Sequence, residues 1–414
     1  MALSFRSLSF PDDRAVAIDG GRRVAWGEFR SAIAARQPAS SPRRRVLLDS
    51  TSPLEFAADL LAALANDHVA VIPPNFQPQT LATFAELTAP LDVPPQTIEL
   101  YTSGSSGEPK CVHKTLRQLE AECNVLEHCW GGLAAAATVI ATTPHHHIYG
   151  LLFRVLWPLL AGRPFDNTTI AEPTALAERL RVAETATLVS SPAQLSRLHQ
   201  LLDLAALPHK PLLTFSSGGP LGADTAALYQ QAWGAAPIEV YGSTESGGIA
   251  WRRRDQGLHW APLPQVQLAN DTDGALLVRS PFLPDEAPLR MEDAVEFNAD
   301  GTFVLRGRLD RIVKIEEKRL SLPEMEAWLS EHPEVGAAAV APLTLSGRTV
   351  VGAVVALNSD ADRNPMVATL REHLRQRFDN VLLPRRWRFV DALPFNERGK
   401  LAQAEIARLL EAAP

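Results

Sequence analysis

The sequence lacks an excess of positive charge, a long apolar run and a paired cysteine motif. Its 414 residues carry a net charge of −7, whereas proteins that bind nucleic acid or anionic membranes need basic residues to neutralise phosphates. No window approaches the roughly 18 apolar residues of a membrane span, and no basic-then-apolar secretory signal is visible at the start. The three cysteines form no CxxC pair, which indicates a reducing compartment. We therefore expect a cytoplasmic protein that neither binds nucleic acid nor spans a membrane.

Positive charge is nevertheless concentrated in two short runs, Arg252–Arg254 and Arg385-Arg386-Trp387-Arg388. Short runs of this kind are usually solvent-exposed, so we expect exposed arginines at both places. A docking surface is the less favoured alternative.

Strand-like apolar runs alternate with helical patterns through the first three hundred residues. The runs at Val69–Ile72 and Ile238–Tyr241 predict strands, and Ser52-Pro53-Leu54-Glu55 predicts the start of a helix by its capping box and its proline. Such alternation is typical of parallel sheets covered by helices. The sequence thus predicts an α/β fold, with mixed and mainly parallel sheets in a large N-terminal domain.

After Leu258 the pattern changes to short strands and turns, including a hairpin around Asn298-Ala299-Asp300-Gly301. This stretch predicts a β-rich subdomain at the end of the N-terminal domain. A small α+β domain follows it. We place the boundary at Asp310, which gives domains of residues 1–309 and 310–414.

The segment Tyr-Thr-Ser-Gly-Ser-Ser-Gly-Glu-Pro-Lys, from Tyr101 to Lys110, follows a predicted strand. Its glycines let main-chain N–H groups approach a polyanion, its hydroxyls add donors, and its lysine adds positive charge. A Walker phosphate loop requires GxxxxGK followed by Ser or Thr, and no such string occurs, so an ordinary P-loop nucleotidase is disfavoured. A flexible Ser/Gly surface loop is the alternative.

This segment resembles the phosphate-binding signature of the adenylate-forming superfamily, which includes acyl-CoA synthetases, nonribosomal-peptide adenylation domains and firefly-type luciferases. Other segments are similar to further motifs of that family, in the same order along the chain. They are Pro144–Gly150 with Trp157–Gly162, Ser216–Leu221, Tyr241–Glu245, Asp293, Gly307–Asp310 and Asn396–Lys400. The resemblance runs from Pro11 to Lys400. It implies activation of a carboxylic acid by ATP, with a small, mobile C-terminal domain.

The reaction explains why the resemblance assigns many residues to ATP. Attack of a carboxylate on the α-phosphate brings two anions together, and the site must offset their repulsion. Thr244 would bind the α-phosphate, Glu245 would hold Mg²⁺, and Lys400 would place its ammonium between the two reacting anions. The β- and γ-phosphates would contact Lys110 and the loop residues Thr102, Ser103, Gly104, Ser105, Ser106 and Gly107.

The same resemblance assigns the adenosine. Gly218, Gly219, Glu239 and Tyr241 would contact or flank adenine. Asp293 and Arg308 would bind the ribose hydroxyls. Met291-Glu292-Asp293 replaces the family's Thr-Gly-Asp, which leaves Glu292 as an alternative to Asp293.

The acid pocket would be lined by small or apolar residues and one histidine, namely His147, Ala193, Phe215, Gly242 and Gly247. These residues favour a hydrophobic or aromatic acid over an amino acid. The triplet His145-His146-His147 could suggest a metal site, but adjacent residues of an extended segment point to opposite faces. No matching Cys/His spacing occurs elsewhere, so we prefer a pocket role for His147.

For the second half-reaction, the resemblance implies rotation of the C-terminal domain about a hinge at Asp310. Lys314 aligns with a lysine that some members need for thiol transfer. Glu317 stands where the family usually has a glycine that leaves room for the pantetheine arm. That departure, a short N-terminal region and the arginines at 385–388 slightly favour the phosphopantetheine of an acyl carrier protein as acceptor. Free CoA is the alternative.

Two hypotheses from other classes stay open. One is a non-catalytic nucleotide-binding relative, which is disfavoured because Lys400, Glu245 and the phosphate loop are all present. The other is a luciferase-like oxygenase that uses the same adenylate. The sequence favours an AMP-forming acid–thiol ligase that requires ATP and Mg²⁺.

Overall fold

The computed structural model describes residues 3–36, 42–84, 92–103, 109–316, 318–345, 348–358, 363–394 and 403–411. The chain divides into two compact units. The first comprises Met1–Leu268 and Val278–Leu289, and the second comprises Ala269–Leu277 and Arg290–Pro414. The hinge predicted at Asp310 lies within the second unit and stays a prediction.

The helices alternate with strands through most of the first unit. The strands are β1 Ala15–Asp19, β2 Arg22–Ala25, β3 Arg45–Leu47, β4 Val69–Ile72, β5 Thr97–Ser103, β6 Pro109–Thr115, β7 Thr138–Ala141, β8 Phe165–Thr169, β9 Ala186–Ser190, β10 Leu213–Ser216, β11 Ile238–Ser243, β12 Gly247–Arg253, β13 Ala261–Pro262, β14 Gln267–Asn270, β15 Ala275–Arg279, β16 Leu289–Phe297, β17 Phe303–Arg308, β18 Ile312–Ile315, β19 Lys318–Ser321, β20 Val335–Leu345, β21 Arg348–Leu357 and β22 Arg386–Val390. The helices are α1 Trp26–Ala35, α2 Pro53–Ala65, α3 Pro78–Phe84, α4 Leu116–Ala134, α5 Ile148–Gly150, α6 Trp157–Ala161, α7 Pro173–Val182, α8 Pro192–Leu201, α9 Ala223–Trp233, α10 Leu322–Ser330, α11 Arg363–Arg375 and α12 Gln403–Glu411. A π-helical turn, Leu151–Leu156, joins α5 to α6, and 3₁₀ turns lie at Phe5–Ser7, Leu204–Ala206 and Leu309–Arg311.

The larger sheet of the first unit has nine strands in the order β13-β12-β11-β10-β9-β7-β8-β1-β2. The six strands from β11 to β1 run parallel, and the flanking strands β12, β13 and β2 are antiparallel. All five residues of β9 are buried, as expected for a parallel strand covered on both faces. The predicted parallel core is confirmed.

The second sheet of this unit has the order β3-β4-β5-β6, in which only the β5–β6 pair is antiparallel. The predicted helix beside it is also confirmed. The Ser52 hydroxyl accepts a hydrogen bond from the Glu55 N–H at 3.2 Å, and Pro53 occupies the first turn, where its missing N–H costs little.

The second unit is rich in strands. It contains most of a sheet with the order β14-β15-β16-β17, a hairpin of β18 and β19, and a sheet with the order β20-β21-β22. The β16–β17 hairpin closes through the predicted turn, where the Asn298 N–H donates to the Thr302 carbonyl at 2.8 Å. Helices α10 and α11 bury Met325, Leu329 and Leu370 in the core of this unit.

The predicted fold class is confirmed, although the sequence missed several elements, among them α4 and β12. None of the helices in the described part of the chain is long and apolar enough to cross a membrane.

Candidate active site

Two predicted motifs meet where the parallel strands β10 and β11 end. Phe215 pairs with Ile238 and Ser216 with Glu239, so the Ser216–Leu221 segment starts beside β11, two residues before Tyr241. The Ser217 hydroxyl donates to the Val240 carbonyl at 2.8 Å and ties the two together. Ligands of open α/β sheets bind beyond the carboxyl ends of the strands, which is where both segments lie.

The Tyr-Gly-Ser-Thr-Glu motif forms the turn of the β11–β12 hairpin. Ser243 pairs with Gly247 across it, and each of the serines 243 and 246 accepts the other's N–H through its hydroxyl, at 3.1 and 3.0 Å. A Cβ at Gly242 would overlap the carbonyl oxygen of Gly247, so the turn closes this tightly only with glycine. Thr244 and Glu245 therefore project from a rigid, tightly closed turn.

The strands that flank the phosphate loop place its lysine against this turn. Thr102 pairs with Lys110 across β5 and β6. The Lys110 ammonium lies 2.6 Å from Oε1 of Glu245, although 135 residues separate them in sequence. Two of the predicted ligands are thus brought together. The loop residues Gly104, Ser105, Ser106 and Gly107, and the side chain of Ser103, lie outside the described part of the structure.

The electrostatics of Glu245 suit a metal ligand. Burial acts to raise the pKa of its carboxyl, but the hydrogen bond and charge of Lys110 outweigh that effect, with help from the backbone and Ser243, and the net pKa is lowered. The side chain is 35% exposed, so an ion can reach an ionised oxygen ligand of the kind that Mg²⁺ prefers. The residues present fit Mg²⁺.

Glu239 is held by protein groups. Its carboxylate accepts two hydrogen bonds from Arg252, each at 2.8 Å, one from Arg254 at 2.9 Å and one from the Leu221 N–H at 3.2 Å. The residue is only 2% exposed. These contacts tie the Ser216–Leu221 segment to β11 and β12.

The prediction of solvent-exposed arginines at Arg252–Arg254 is therefore wrong. Their side chains are only 12–22% exposed. Arg252 and Arg254 bind Glu239, and Arg253 binds Asp255. A buried carboxylate on the neighbouring strand draws the guanidinium groups inward, because an unpaired buried charge costs far more than an ion pair.

Tyr241, the predicted adenine partner, packs against Trp260 with the ring centroids 5.5 Å apart. The Arg252 guanidinium lies 4.3 Å from the centre of the same Trp260 ring, within the range of a cation–π interaction. The predicted partners Gly218 and Gly219 are exposed, and Gly218 has a φ of 91°, a conformation that favours glycine.

Phe215, predicted to line the acid pocket, is fully buried among aromatic side chains. Its ring centroid lies 5.0–5.8 Å from those of Phe153, Trp130 and Trp157. Ala193 is exposed in the first turn of α8. Phe215 thus belongs to a closed aromatic cluster, and Ala193 lies at the surface.

The three histidines differ in their surroundings. His145 Nε2 lies 2.9 Å from the Ser50 carbonyl, and burial lowers the pKa of the ring to about 4, so it stays neutral. The ring centroid of His146 lies 4.4 Å from that of Phe76 and 4.3 Å from that of His147. His147 is the N-cap residue of α5. Over the described ranges, no group of three or more His, Cys, Asp or Glu residues is placed to hold a metal ion.

The remaining predicted residues belong to the second unit. Asp293 and Arg308 are paired in register across β16 and β17. Glu292, the alternative to Asp293, is exposed and binds Arg290 at 2.9 Å, and the choice between the two stays a prediction. Only the main chain is described at Asp310, in a 3₁₀ turn, and at Lys314, in β18. Lys400 and Glu317 lie outside the described residues.

Two buried charged residues behind the turn were missed from the sequence, Lys114 and Glu122. Lys114 lies on the same face of β6 as Lys110 and the buried Val112, and Glu122 occupies an inward position of α4 between Leu119 and Leu126. The signal that could have revealed them is a charged residue at a position where the strand or helix pattern requires an apolar one.

Comparisons with known proteins agree with this geometry. Residues 42–275 match the model of the AMP-binding enzyme family, and residues 324–400 match that of the AMP-binding enzyme C-terminal domain. A 4-coumarate–CoA ligase from Rhodobacter capsulatus is 31% identical over 305 residues, which cover 72% of this chain and 73% of that protein. A D-alanine–D-alanyl carrier protein ligase from Staphylococcus epidermidis is 31% identical over 113 residues, 27% of this chain and 23% of that protein.

Among solved structures, the o-succinylbenzoate CoA synthetase of Bacillus subtilis, in complex with its acyl-adenylate intermediate, has the same fold. Its TM-score is 0.79 at 16% sequence identity, and the match covers 97% of this chain and 96% of that one. The fold, the two family matches and the ordered motifs agree. This chain belongs to the adenylate-forming, AMP-binding superfamily and is an AMP-forming acid–thiol ligase.

Proposed function

We propose that this ligase activates an aromatic or otherwise hydrophobic carboxylic acid as its acyl adenylate and transfers the acyl group to CoA. The observation that carries the nucleotide part is the 2.6 Å pair of Lys110 and Glu245. It sets the strand after the phosphate loop against the turn that carries Thr244. A cation and a carboxylate together at the carboxyl ends of parallel strands support a Mg²⁺–triphosphate site.

In the first half-reaction, a carboxylate oxygen of the acid attacks the α-phosphorus of ATP, and pyrophosphate leaves. Lys110 binds the departing phosphates, Thr244 donates to the α-phosphate, and Glu245 holds Mg²⁺. The ion supplies positive charge to the phosphate oxygens when it is bound. Lys400 neutralises the approach of the two anions. Preorganised charges of this kind act strongly in a site that excludes water.

The adenosine part of the proposal rests on Tyr241, which stacks on adenine while Trp260 holds its ring. Asp293 and Arg308 bind the ribose hydroxyls. Glu239 takes a different role from the one that the sequence assigns. Because its carboxylate already accepts from two arginines and a main-chain N–H, we propose that it positions the adenine segment without contacting ATP.

The class of acid rests on the residues predicted to line its pocket, which are apolar or small apart from His147. Such surroundings favour burial of an apolar or aromatic acid. The 4-coumarate–CoA ligase that matches most of the chain acts, by its name, on an aromatic acid.

CoA replaces the carrier protein that the sequence slightly favours. Two of the three arginines in the proposed docking cluster are already engaged. Arg386 donates to the Leu410 carbonyl at 2.6 Å and Arg388 to the Leu409 carbonyl at 3.2 Å, both at the end of α12. The carrier-protein ligase matches only 27% of the chain. In the proposed second half-reaction the C-terminal domain rotates about Asp310 and brings Lys314 to the site of thiol transfer. The CoA thiol then attacks the acyl carbon and loses its proton, and AMP leaves.

Acid-dependent pyrophosphate release tests the proposal. The protein is incubated with MgATP and a panel of aromatic, medium-chain aliphatic and amino acids, and each acid is tested with CoA and with a holo acyl carrier protein. We expect release with aromatic acids and steady turnover only when CoA is present. Turnover with the carrier protein but not with CoA would overturn the acceptor, and activity confined to amino acids would overturn the acid class.

Glu245→Gln, with Asp59→Asn as its control, distinguishes a loss of the proposed metal ligand from a general effect of removing a paired carboxylate. Asp59 is 34% exposed and paired to Arg36, which closely matches the 35% exposure and Lys110 pair of Glu245, but it lies on α2. We expect pyrophosphate release to fall by about 10²–10³-fold in Glu245→Gln and to stay near wild type in Asp59→Asn. An equal fall in both variants would contradict the assignment of Glu245.

A further inference from the structure

Two buried ionisable side chains, Lys114 and Glu122, lie directly behind the turn that carries Glu245. Lys114 is 2% exposed and Glu122 is 1% exposed. One comes from the last part of β6 and the other from α4, so both follow the phosphate loop closely in sequence. Neither residue belongs to the motifs that mark the family in this chain.

Lys114 holds the main chain of the turn. Its ammonium donates to the Glu245 carbonyl at 2.7 Å and to the Phe282 carbonyl at 2.8 Å. Lys110 and Lys114 lie on the same face of β6, four residues apart. Glu245 therefore accepts a hydrogen bond from Lys110 at its carboxylate and another from Lys114 at its main-chain carbonyl.

Glu122 holds the strand that leaves the turn. Its Oε1 accepts the Gly248 N–H at 2.6 Å. Its Oε2 is buried against Gly247, where a Cβ would overlap it, and no hydrogen-bond partner for that oxygen is found within the described chain. The carboxylate thus occupies the space that the two glycines leave behind the pocket wall.

Burial disfavours the charged form of both side chains. Burial lowers the pKa of Lys114, with the charges of Glu122 and Glu245 opposing it. Burial raises the pKa of Glu122 to about 7, although the Gly248 N–H and Lys114 oppose that shift. Well-packed apolar side chains often stabilise a core as well as such groups or better. A role in placing the turn explains why charged groups stand here.

We propose that Lys114 and Glu122 are positioning residues of the adenylation site. Lys114 fixes the main chain at Glu245 and so the carboxylate offered to the metal–nucleotide. Glu122 fixes Gly247 and Gly248 and so the wall beside the acid. This inference rests on the proposed function, because it takes over the roles given there to Glu245 and Gly247.

The two residues are expected to affect different substrates. Loss of the Lys114 ammonium should weaken MgATP binding by about 10–100-fold, as is usual for groups that orient a metal ligand. The KM for the acid should change little. Loss of the Glu122 acceptor should raise the KM for the acid and leave the dissociation constant of MgATP within about threefold of wild type, since its contacts lie on β12 and not on Glu245.

The test compares Lys114→Met, Lys114→Gln, Glu122→Leu and Glu122→Gln with wild type. Calorimetric titration gives the dissociation constants of MgATP and of metal-free ATP, and steady-state kinetics give the KM for the acid. Lys114→Gln keeps one amide donor and should bind MgATP with intermediate affinity, which keeps the test valid if Lys114→Met does not fold. Glu122→Gln keeps the acceptor for Gly248 and should restore the KM for the acid that Glu122→Leu raises.

Arg179→Met is the matched control for damage to a buried ion pair. Arg179 binds Asp166, whose side chain is 1% exposed, at 2.7 Å in the same unit. This variant should lower the melting temperature without changing either substrate constant. Unchanged MgATP affinity in folded Lys114 variants, or changes in step with melting temperature across all variants, would overturn the inference. Wild-type protein that binds no MgATP would instead overturn the proposed function.

Discussion

Single residues around the Glu245 turn link stability to chemistry. The side chains of Lys110 and Glu245 are 62% and 35% exposed, whereas Lys114 and Glu122 are buried. We expect buried Glu122 to contribute to the pH dependence of folding and the exposed pair to contribute to catalysis.

Glu122 is expected to make the protein less stable as the pH rises. Its pKa is raised by burial from 4.5 to about 7 in the folded state, so between these values the folded protein keeps a proton that the unfolded chain releases. The associated stability is present below pH 4.5 and is lost as the pH rises through 7. Relative to Glu122→Gln, the wild-type free energy of unfolding should fall by about 3 kcal/mol across this window.

Urea unfolding of the two proteins at a series of pH values measures that difference. Other titrating groups are common to both proteins and cancel in the comparison. Parallel stability curves would show that the carboxyl of Glu122 does not retain a proton in the folded state.

Lys400→Ala is expected to separate the two half-reactions. Removing the ammonium should slow adenylation by about 10²–10³-fold, because it neutralises charge that develops when the two anions meet. Thiol transfer from supplied acyl adenylate to CoA should stay within a few-fold of wild type. Both rates are measured by quenched-flow analysis of AMP and thioester, and equal losses would contradict separate roles for the two steps.

The sequence predicted Lys110 and Glu245 because each lies in a motif that resembles one of the adenylate-forming superfamily. Lys114 and Glu122 were not predicted because their roles depend on burial, and charged residues are usually expected at the surface. The inward-facing arginines at 252–254 were missed for the same reason. Glu239, the partner of Arg252 and Arg254, lies on the neighbouring strand, and strand order is not visible in a single sequence.

Among the elements, the β11–β12 hairpin positions the turn that carries Glu245. Gly242 is the residue that permits β11 to lie so close to Gly247 of β12. In Gly242→Ala the added methyl would overlap the Gly247 carbonyl oxygen, so the two strands must separate. We expect a loss of about 1–3 kcal/mol of stability from overpacking. We also expect a fall of about 10²-fold in pyrophosphate release, since small displacements of catalytic groups are costly.

Gly257→Ala is the control, because nothing lies within 4 Å of a Cβ at that glycine. Urea unfolding and pyrophosphate release are measured for both variants. If Gly242→Ala resembled Gly257→Ala in both measurements, the turn would tolerate the wider hairpin, and its close approach would not matter for the site.

Arg386 is expected to stabilise α12 rather than to bind an acceptor. Its hydrogen bond to the Leu410 carbonyl places positive charge at the helix C-terminus, where the helix dipole favours it. Arg386→Ala should lose about 1 kcal/mol of stability by thermal unfolding. Its KM for CoA should be unchanged. A selective loss of activity with a carrier protein would instead restore the docking role that the sequence suggested.

Elements were predicted well where their caps or periods are local. Helix α2 followed from Ser52 and Pro53, and β4 followed from four consecutive apolar residues. Helix α4 has a comparable signal, since Thr115 and Gln118 form a capping box, although it is not among the predicted helices. Strand β12 begins with two glycines and resembles a loop, so only its pairing with β11 defines it.

At the scale of the whole molecule, the alternation of strands and helices predicted the α/β class, and the ordered motifs predicted the family. The order of nine strands in the main sheet could not be predicted, because parallel neighbours are joined by crossovers of variable length. The two units also interleave in sequence, since Ala269–Leu277 belongs to the second unit and Val278–Leu289 to the first. The domain boundary at Asp310 stays a prediction.

The central claim is that the carboxylate of the acid attacks the α-phosphorus of ATP. An aromatic acid labelled with ¹⁸O at both carboxylate oxygens tests it directly, with MgATP and CoA present and the AMP analysed by mass spectrometry. One carboxylate oxygen bridges to phosphorus in the adenylate and stays with AMP when the thiol displaces it. The account predicts one ¹⁸O atom in each AMP produced. Unlabelled AMP, or formation of ADP and phosphate in its place, would contradict it.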